Sequence, residues 1–293
     1  MTTNLPTSDI FSVNNQTIDN IAFSNSGEFN IEITFGQGSE GLSQQMADAV
    51  IEAAAFWESM ITQSSFNGNH TLNIEVGGEV QAENVLASAA PIEVVNDANG
   101  NIMPTFGVSN INTNPNTVDF FSSDIQSFTR TMIHEFGHVM GLGTLWDDNN
   151  LIDPTTATYN ANTNAGIAYG ELLGLNTPTA IPLTNGEGEG SDLSHWDENI
   201  FSNELMTHEA EASGVSMPLS IMTIASLQDL GWNVDYSVAE FYPDGFTGPE
   251  TVASTTGVAD NVDSCGCGFC GGCGSDVLST NLIDAIAVVN TTI

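Results

Sequence analysis

Two histidines four residues apart, with a glutamate beside the first, constrain this chain more than any other feature, because they sit in a segment patterned as a helix. Residues Asp124 to Leu142 read DIQSFTRTMIHEFGHVMGL and place His134, Glu135 and His138 in the order H-E-x-x-H. Ile125, Phe128, Met132, Ile133, Phe136 and Met140 recur at helical spacing and mark a buried side. Ser122 or Ser123 is placed to cap the start, and Gly141 and Gly143 follow the last turn, where glycine commonly ends helices. Positions four apart on a helix lie only about 40° apart, so both imidazoles leave one face and can meet on a single ion. Imidazole suits zinc, and two or three protein ligands leave a coordination position open for water. Glu135 stands beside the ligands and not among them, the place for a general base that takes a proton from such a water. Coincidence is a poor explanation: with 5 His and 37 Asp plus Glu in 293 residues, chance supplies the pattern about 0.01 times.

The charge balance narrows the partners. Lys and Arg together number 1, Arg130, against 37 acidic residues, for a net charge of −36 at pH 7. Without cations the chain cannot neutralise phosphates, which excludes nucleic acid and makes anionic membranes poor partners. The apolar runs are too short for a membrane span. Such a surface repels itself at low ionic strength and fits a saline or calcium-rich setting, although plain solubility accounts for the charge equally well. Met1 to Asn20 lacks the positive stretch and apolar run of a secretory signal. The expected location is therefore extracellular by a route without such a signal, with the cytoplasm as the alternative.

Along the chain, three regions are expected. Residues 1–27 are polar, rich in Thr, Ser and Asn, and read as extended or partly disordered. Residues 28–242 form the main domain, with 41% hydrophobic residues over the whole chain to build a core. Within it, FNIEITF (Phe29 to Phe35) alternates as a strand, and Ser43 to Ser64 reads as a long helix with Ser43 as N-cap. His70 to Val80 suggests a second strand, followed by strand and loop up to Phe121. Asp97 and Asn99 in NDANGN are candidate calcium ligands, though a plain turn explains them better. Beyond the central helix comes a loop-rich stretch to Ser191, then an amphipathic helix from Pro218 to Leu230 ended by Gly231. Strands and helices do not strictly alternate, which makes the class α+β. Residues 243–293 are a Gly/Cys-rich tail holding all 4 cysteines, Cys265, Cys267, Cys270 and Cys273. Three readings of it stay open: a second metal site or disulfide knot, a calcium-binding β-roll remnant at Gly271 to Ser279, or a flexible tail.

HEFGHVMG, from His134 to Gly141, resembles the metzincin pattern H-E-x-x-H-x-x-G, in which the glycine turns the chain so that a third histidine can reach the metal. In the short form that histidine lies six residues after the second, where this chain has Thr144. The departure resembles the leishmanolysin-like, bacterial-type metallopeptidases, whose third ligand follows an insertion. His195, in SHWDENIFSNELM, matches that ligand, with His208 as the rival. Met206 matches the methionine of the turn beneath the metal, with Met222 as the rival. The resemblance runs from about Phe29 to Tyr242 and leaves out the cysteine tail. It implies a metzincin-like zinc peptidase fold with an N-terminal sheet-and-helix subdomain, the H-E-x-x-H helix, and a loop-rich C-terminal subdomain. It also implies a zinc-dependent endopeptidase acting on protein or peptide substrates, with zinc held by His134, His138 and His195 and Glu135 as the base. The alternative is a non-catalytic zinc- or calcium-binding surface protein on the same fold. Nothing in the sequence bears on oligomeric state.

Overall fold

The computed structural model describes residues 29–65, 69–188 and 190–240. The N-terminal segment 1–27, the expected boundary near Pro243, the β-roll match and Cys265, Cys267, Cys270 and Cys273 fall outside these residues. The elements, in order, are β1 (Phe29–Phe35), α1 (Gln44–Met60), β2 (Ile61–Ser64), β3 (His70–Glu79), β4 (Ala87–Asn96), β5 (Ile102–Asn112), α2 (Pro115–Ser123) and α3 (Ile125–Val139). They continue with β6 (Ile152–Asp153), β7 (Thr158–Tyr159), α4 (Asn164–Leu172), β8 (Ile181–Pro182), α5 (Glu198–Phe201), α6 (Ile221–Asp229) and β9 (Trp232–Val234). The class is α+β, as expected.

The first half is one sheet with two helices laid against it. Its order is β1-β3-β5-β4, with β1, β3 and β5 parallel and β4 antiparallel to β5 at one edge. Helix α1 packs on β1 and on α3, while α3 packs on β4 and β5. Met46, Ala49, Val50, Ala53, Ala54, Trp57 and Met60 bury one stripe of α1, and Trp57 Nε1 donates to the Ile133 carbonyl at 2.9 Å. That bond fixes α1 to the turn of α3 just before His134. Ser43 caps α1, accepting from Met46 N–H at 3.2 Å.

Several expected boundaries shift. The helix expected over Ser43 to Ser64 stops at Met60, because Ile61–Ser64 pairs antiparallel with β9. Tertiary strand pairing overrides the helical spacing there. The stretch before Phe121 ends in a helix, α2, begun by Pro115 behind an Asn114 cap. Ser122 and Ser123 belong to that helix, so the cap of α3 is Asp124, whose Oδ1 accepts from the N–H groups of Gln126 and Ser127 at 3.1 Å each. Between β4 and β5, Asp97 spends its carboxylate on its own turn, accepting from Asn99 N–H and Asn101 N–H at 2.8 Å each. Asp97 and Asn99 thus lie in a hydrogen-bonded turn.

The second half turns back over the far end of α3. The stretch after Gly143 is less irregular than expected, containing α4 and the three-stranded sheet β6-β7-β8. It is centred on aromatic packing: Trp146 meets Trp196 at 4.5 Å and Tyr159 at 5.2 Å between ring centroids. Asp229 of α6 caps α4 from outside, accepting from Asn164 N–H at 2.8 Å and Ala165 N–H at 3.0 Å. Helix α6 is capped by Ser220 and is shorter than the expected Pro218 to Leu230, and Gly231 ends it with φ 104°.

Candidate metal centre

Helix α3 delivers His134 and His138 one turn apart, and the chain then leaves it sharply. Gly141 takes φ 104° and Gly143 φ 76°, a left-handed backbone that side chains resist. Thr144, which occupies the position of the short-form third histidine, instead donates its hydroxyl to the His138 carbonyl at 2.6 Å and closes the helix end. A Cβ on Gly143 would lie 1.9 Å from the Ser194 carbonyl oxygen. This close approach brings the segment containing His195 onto the end of α3.

The three imidazoles converge. His138 Nε2 lies 2.9 Å from His134 Nε2 and 3.1 Å from His195 Nε2. The rings of His134 and His195 stack at 5.3 Å, with His138 nearly perpendicular to both. Among the described residues, these three form the one cluster of His, Cys, Asp or Glu side chains arranged to hold an ion. His208 does not join it: its ring centroid is 6.3 Å from that of His195, and its Nε2 lies 3.9 Å from Glu209.

The outer nitrogens explain why the inner ones point where they do. Nδ1 of His134 donates to the Leu205 carbonyl at 2.7 Å, Nδ1 of His138 to the Leu142 carbonyl at 2.8 Å, and Nδ1 of His195 to the Ser191 carbonyl at 3.1 Å. A carbonyl can only accept, so each Nδ1 carries the proton and each Nε2 keeps its lone pair for the common point. Burial pushes His134 down to about 4, and burial plus the neighbouring histidines holds His138 and His195 well below the usual imidazole value. All three are neutral at neutral pH, the form that ligates.

This donor set fits zinc. Bonds of about 2.0–2.1 Å in a tetrahedron place neighbouring donors roughly 3.3 Å apart, close to the spacing found, and three nitrogens leave one position free. Glu135 lies in the same turn of α3, 1% exposed, with His134 at 2% and His138 and His195 at 0%. Met206 packs under this turn: a Cβ on Gly137 would meet its Sδ at 3.0 Å. The rival Met222 is a core residue of α6.

A profile of the leishmanolysin peptidases matches residues 75–284, well over half of the chain. The chain belongs to the leishmanolysin family. Membership makes it a metallopeptidase of a zinc-dependent family, with proteins as the substrate class. The matched span starts within β3 and runs on through the cysteine stretch, so the likeness begins later and ends later than the motif residues suggest. No individual curated protein matches. Sequence reasoning passed over the carbonyls of Leu205, Leu142 and Ser191, which carry no side-chain signal. It also passed over Glu204, which the sequence shows only as one more carboxylate in the polar stretch Ser202-Asn203-Glu204 before Leu205 and Met206.

Proposed function

We propose that this leishmanolysin-family chain is a zinc-dependent endopeptidase whose ion is held by His134, His138 and His195, with Glu135 as general base. The supporting observation is the convergence of three Nε2 atoms, each oriented by a main-chain carbonyl, in the same helical turn as a buried glutamate. Zinc, when bound, supplies Lewis-acid polarisation of the scissile carbonyl and a water acidified to about pKa 7. Glu135 takes the proton of the attacking water and returns it to the leaving amide nitrogen. Its burial strengthens that exchange, because charges in a water-poor site are weakly screened. The acidic surface favours neutral or basic substrates at the encounter stage.

The test is zinc content together with casein cleavage, with and without chelator, for the wild type and Glu135→Ala. The variant should hold zinc nearly normally and lose about 100-fold or more of its activity, the range of a lost general base. Undiminished cleavage by Glu135→Ala would remove the mechanism.

A further inference from the structure

Glu204 is fully buried, with no Lys or Arg partner, and two residues before Met206. Its carboxylate collects donors from two elements. Oε2 accepts from Met206 N–H at 2.6 Å, and Oε1 accepts from Ser220 N–H at 3.1 Å, from the Ser220 hydroxyl at 2.7 Å and from the Thr223 hydroxyl. Ser220 Oγ itself accepts from Thr223 N–H, and Thr223 Oγ1 accepts from Trp196 Nε1 at 2.8 Å, so both hydroxyl protons are free to point at Glu204. Burial pushes its pKa up, and these donors act against that by favouring the ionised form. The position also lies at the N-terminus of α6, where the helix dipole favours negative charge.

Two threads lead from this carboxylate to the histidines. Met206 N–H and the Leu205 carbonyl belong to one peptide unit. The N–H is held by Glu204 and the carbonyl accepts from His134 Nδ1 at 2.7 Å. A strong acceptor on the N–H side polarises that unit, makes its carbonyl a stronger acceptor and so makes His134 a better ligand, as carboxylates behind ligating histidines do directly. The second thread runs through Thr223 to the Trp196 indole, the residue after His195, whose own N–H donates to the Met206 carbonyl at 3.1 Å.

We propose that Glu204 is the positioning residue of the metal centre, acting on His134 through the Leu205–Met206 peptide and on His195 through Thr223 and Trp196. The inference rests on the proposed zinc site. Cobalt(II) in place of zinc reads the coordination geometry in its visible spectrum, independent of turnover. Glu204→Gln keeps the size but sets an amide N–H against donors. Its cobalt spectrum should change, the His134 Nδ1–H proton resonance of the zinc form should move upfield, and zinc affinity should fall about 10- to 100-fold. Thr223→Val leaves the Met206 branch intact, and should shift the Trp196 indole resonance and weaken zinc binding while sparing the His134 signal. A fall in melting temperature with both spectra and the zinc affinity unchanged, in either variant, would overturn the proposal and leave Glu204 a structural residue. A wild-type protein that takes up no cobalt, or takes it up equally after His134→Ala, would overturn instead the zinc site on which the inference rests.

Discussion

His195 and His208 are close neighbours with opposite assignments, which makes them the sharpest comparison of single side chains. His195 Nε2 faces the common point and its Nδ1 is held by Ser191, whereas His208 leans to Glu209. His195→Ala should lower zinc affinity by more than about 100-fold, beyond the loss expected from an outer partner, and His208→Ala should leave it within a few-fold. The reverse ranking, measured by competition with a chelator, would dismantle the site. Two other residues contribute to opposite flanks of the pH dependence. His70, stacked on Trp232 at 5.0 Å, is pushed by burial from 6.5 to about 4. Between those values the unfolded chain takes up a proton that the folded chain refuses, so stability is full above 6.5 and is lost as pH falls, on the order of 3 kcal/mol in total. Glu198 is pushed the other way, from 4.5 to about 8, by burial and then by the crowding of Glu209, Glu211 and Asp197. There the folded chain keeps a proton that the unfolded chain has released, so stability falls as pH rises through that window. Urea unfolding against pH should show the acid flank flattened in His70→Phe and the alkaline flank flattened in Glu198→Gln. Slopes equal to the wild type in both variants would show that these groups do not set them.

At the scale of elements, the metal centre depends on how α3 ends, and Gly143 is where that can be tested. Its left-handed φ and the 1.9 Å approach of its absent Cβ to the Ser194 carbonyl leave no room for a side chain. Gly143→Ala should cost roughly 1–3 kcal/mol in strain and weaken zinc binding too, because relieving the clash moves Ser194 and with it His195. A variant as stable as the wild type with unchanged zinc affinity would show that this approach is not needed. Gly143 was legible in the sequence as a helix terminator, as were β1, the Ser43 cap and the buried side of α3, since each depends on local periodicity or one local bond. Two of the failures were long-range, and one, the cap of α3, was local. Ile61–Ser64 left the helical pattern because β9 pairs with it, and Asp124 took the cap once α2 absorbed Ser122 and Ser123. Helix α4 was hidden because part of its N-terminal capping comes from Asp229 of α6, 64 and 65 residues away. The same distinction holds in the site: His134, Glu135 and His138 follow from a helical period, His195 needed the family resemblance, and the carbonyls and Glu204 needed coordinates.

For the whole molecule, the balance of forces is set by 37 acidic residues against 1 cation. Arg130 meets Glu240 at 3.4 Å with both side chains about a third exposed, a pair worth at most about 1 kcal/mol. Ion pairing therefore contributes little, and the apolar core must outweigh the repulsion. That repulsion is visible locally: after burial itself, Asp147 raises Asp148, and Glu209 raises Glu211. Salt should relieve it. Between about 0.01 M and 0.1 M sodium chloride the Debye length falls from roughly 30 Å to roughly 10 Å, and by 1 M to roughly 3 Å. Melting temperature should climb by several degrees, with most of the gain complete by a few tenths molar, where neighbouring surface charges are already screened. Strengthened apolar burial by salting-out would instead keep increasing towards molar salt and would be larger for sulfate than for chloride at equal ionic strength. The shape of the curve therefore separates the two causes. An early plateau shared by chloride and sulfate assigns the gain to charge repulsion, whereas a flat or late-rising curve would mean that the net charge of −36 does not limit the stability of this fold.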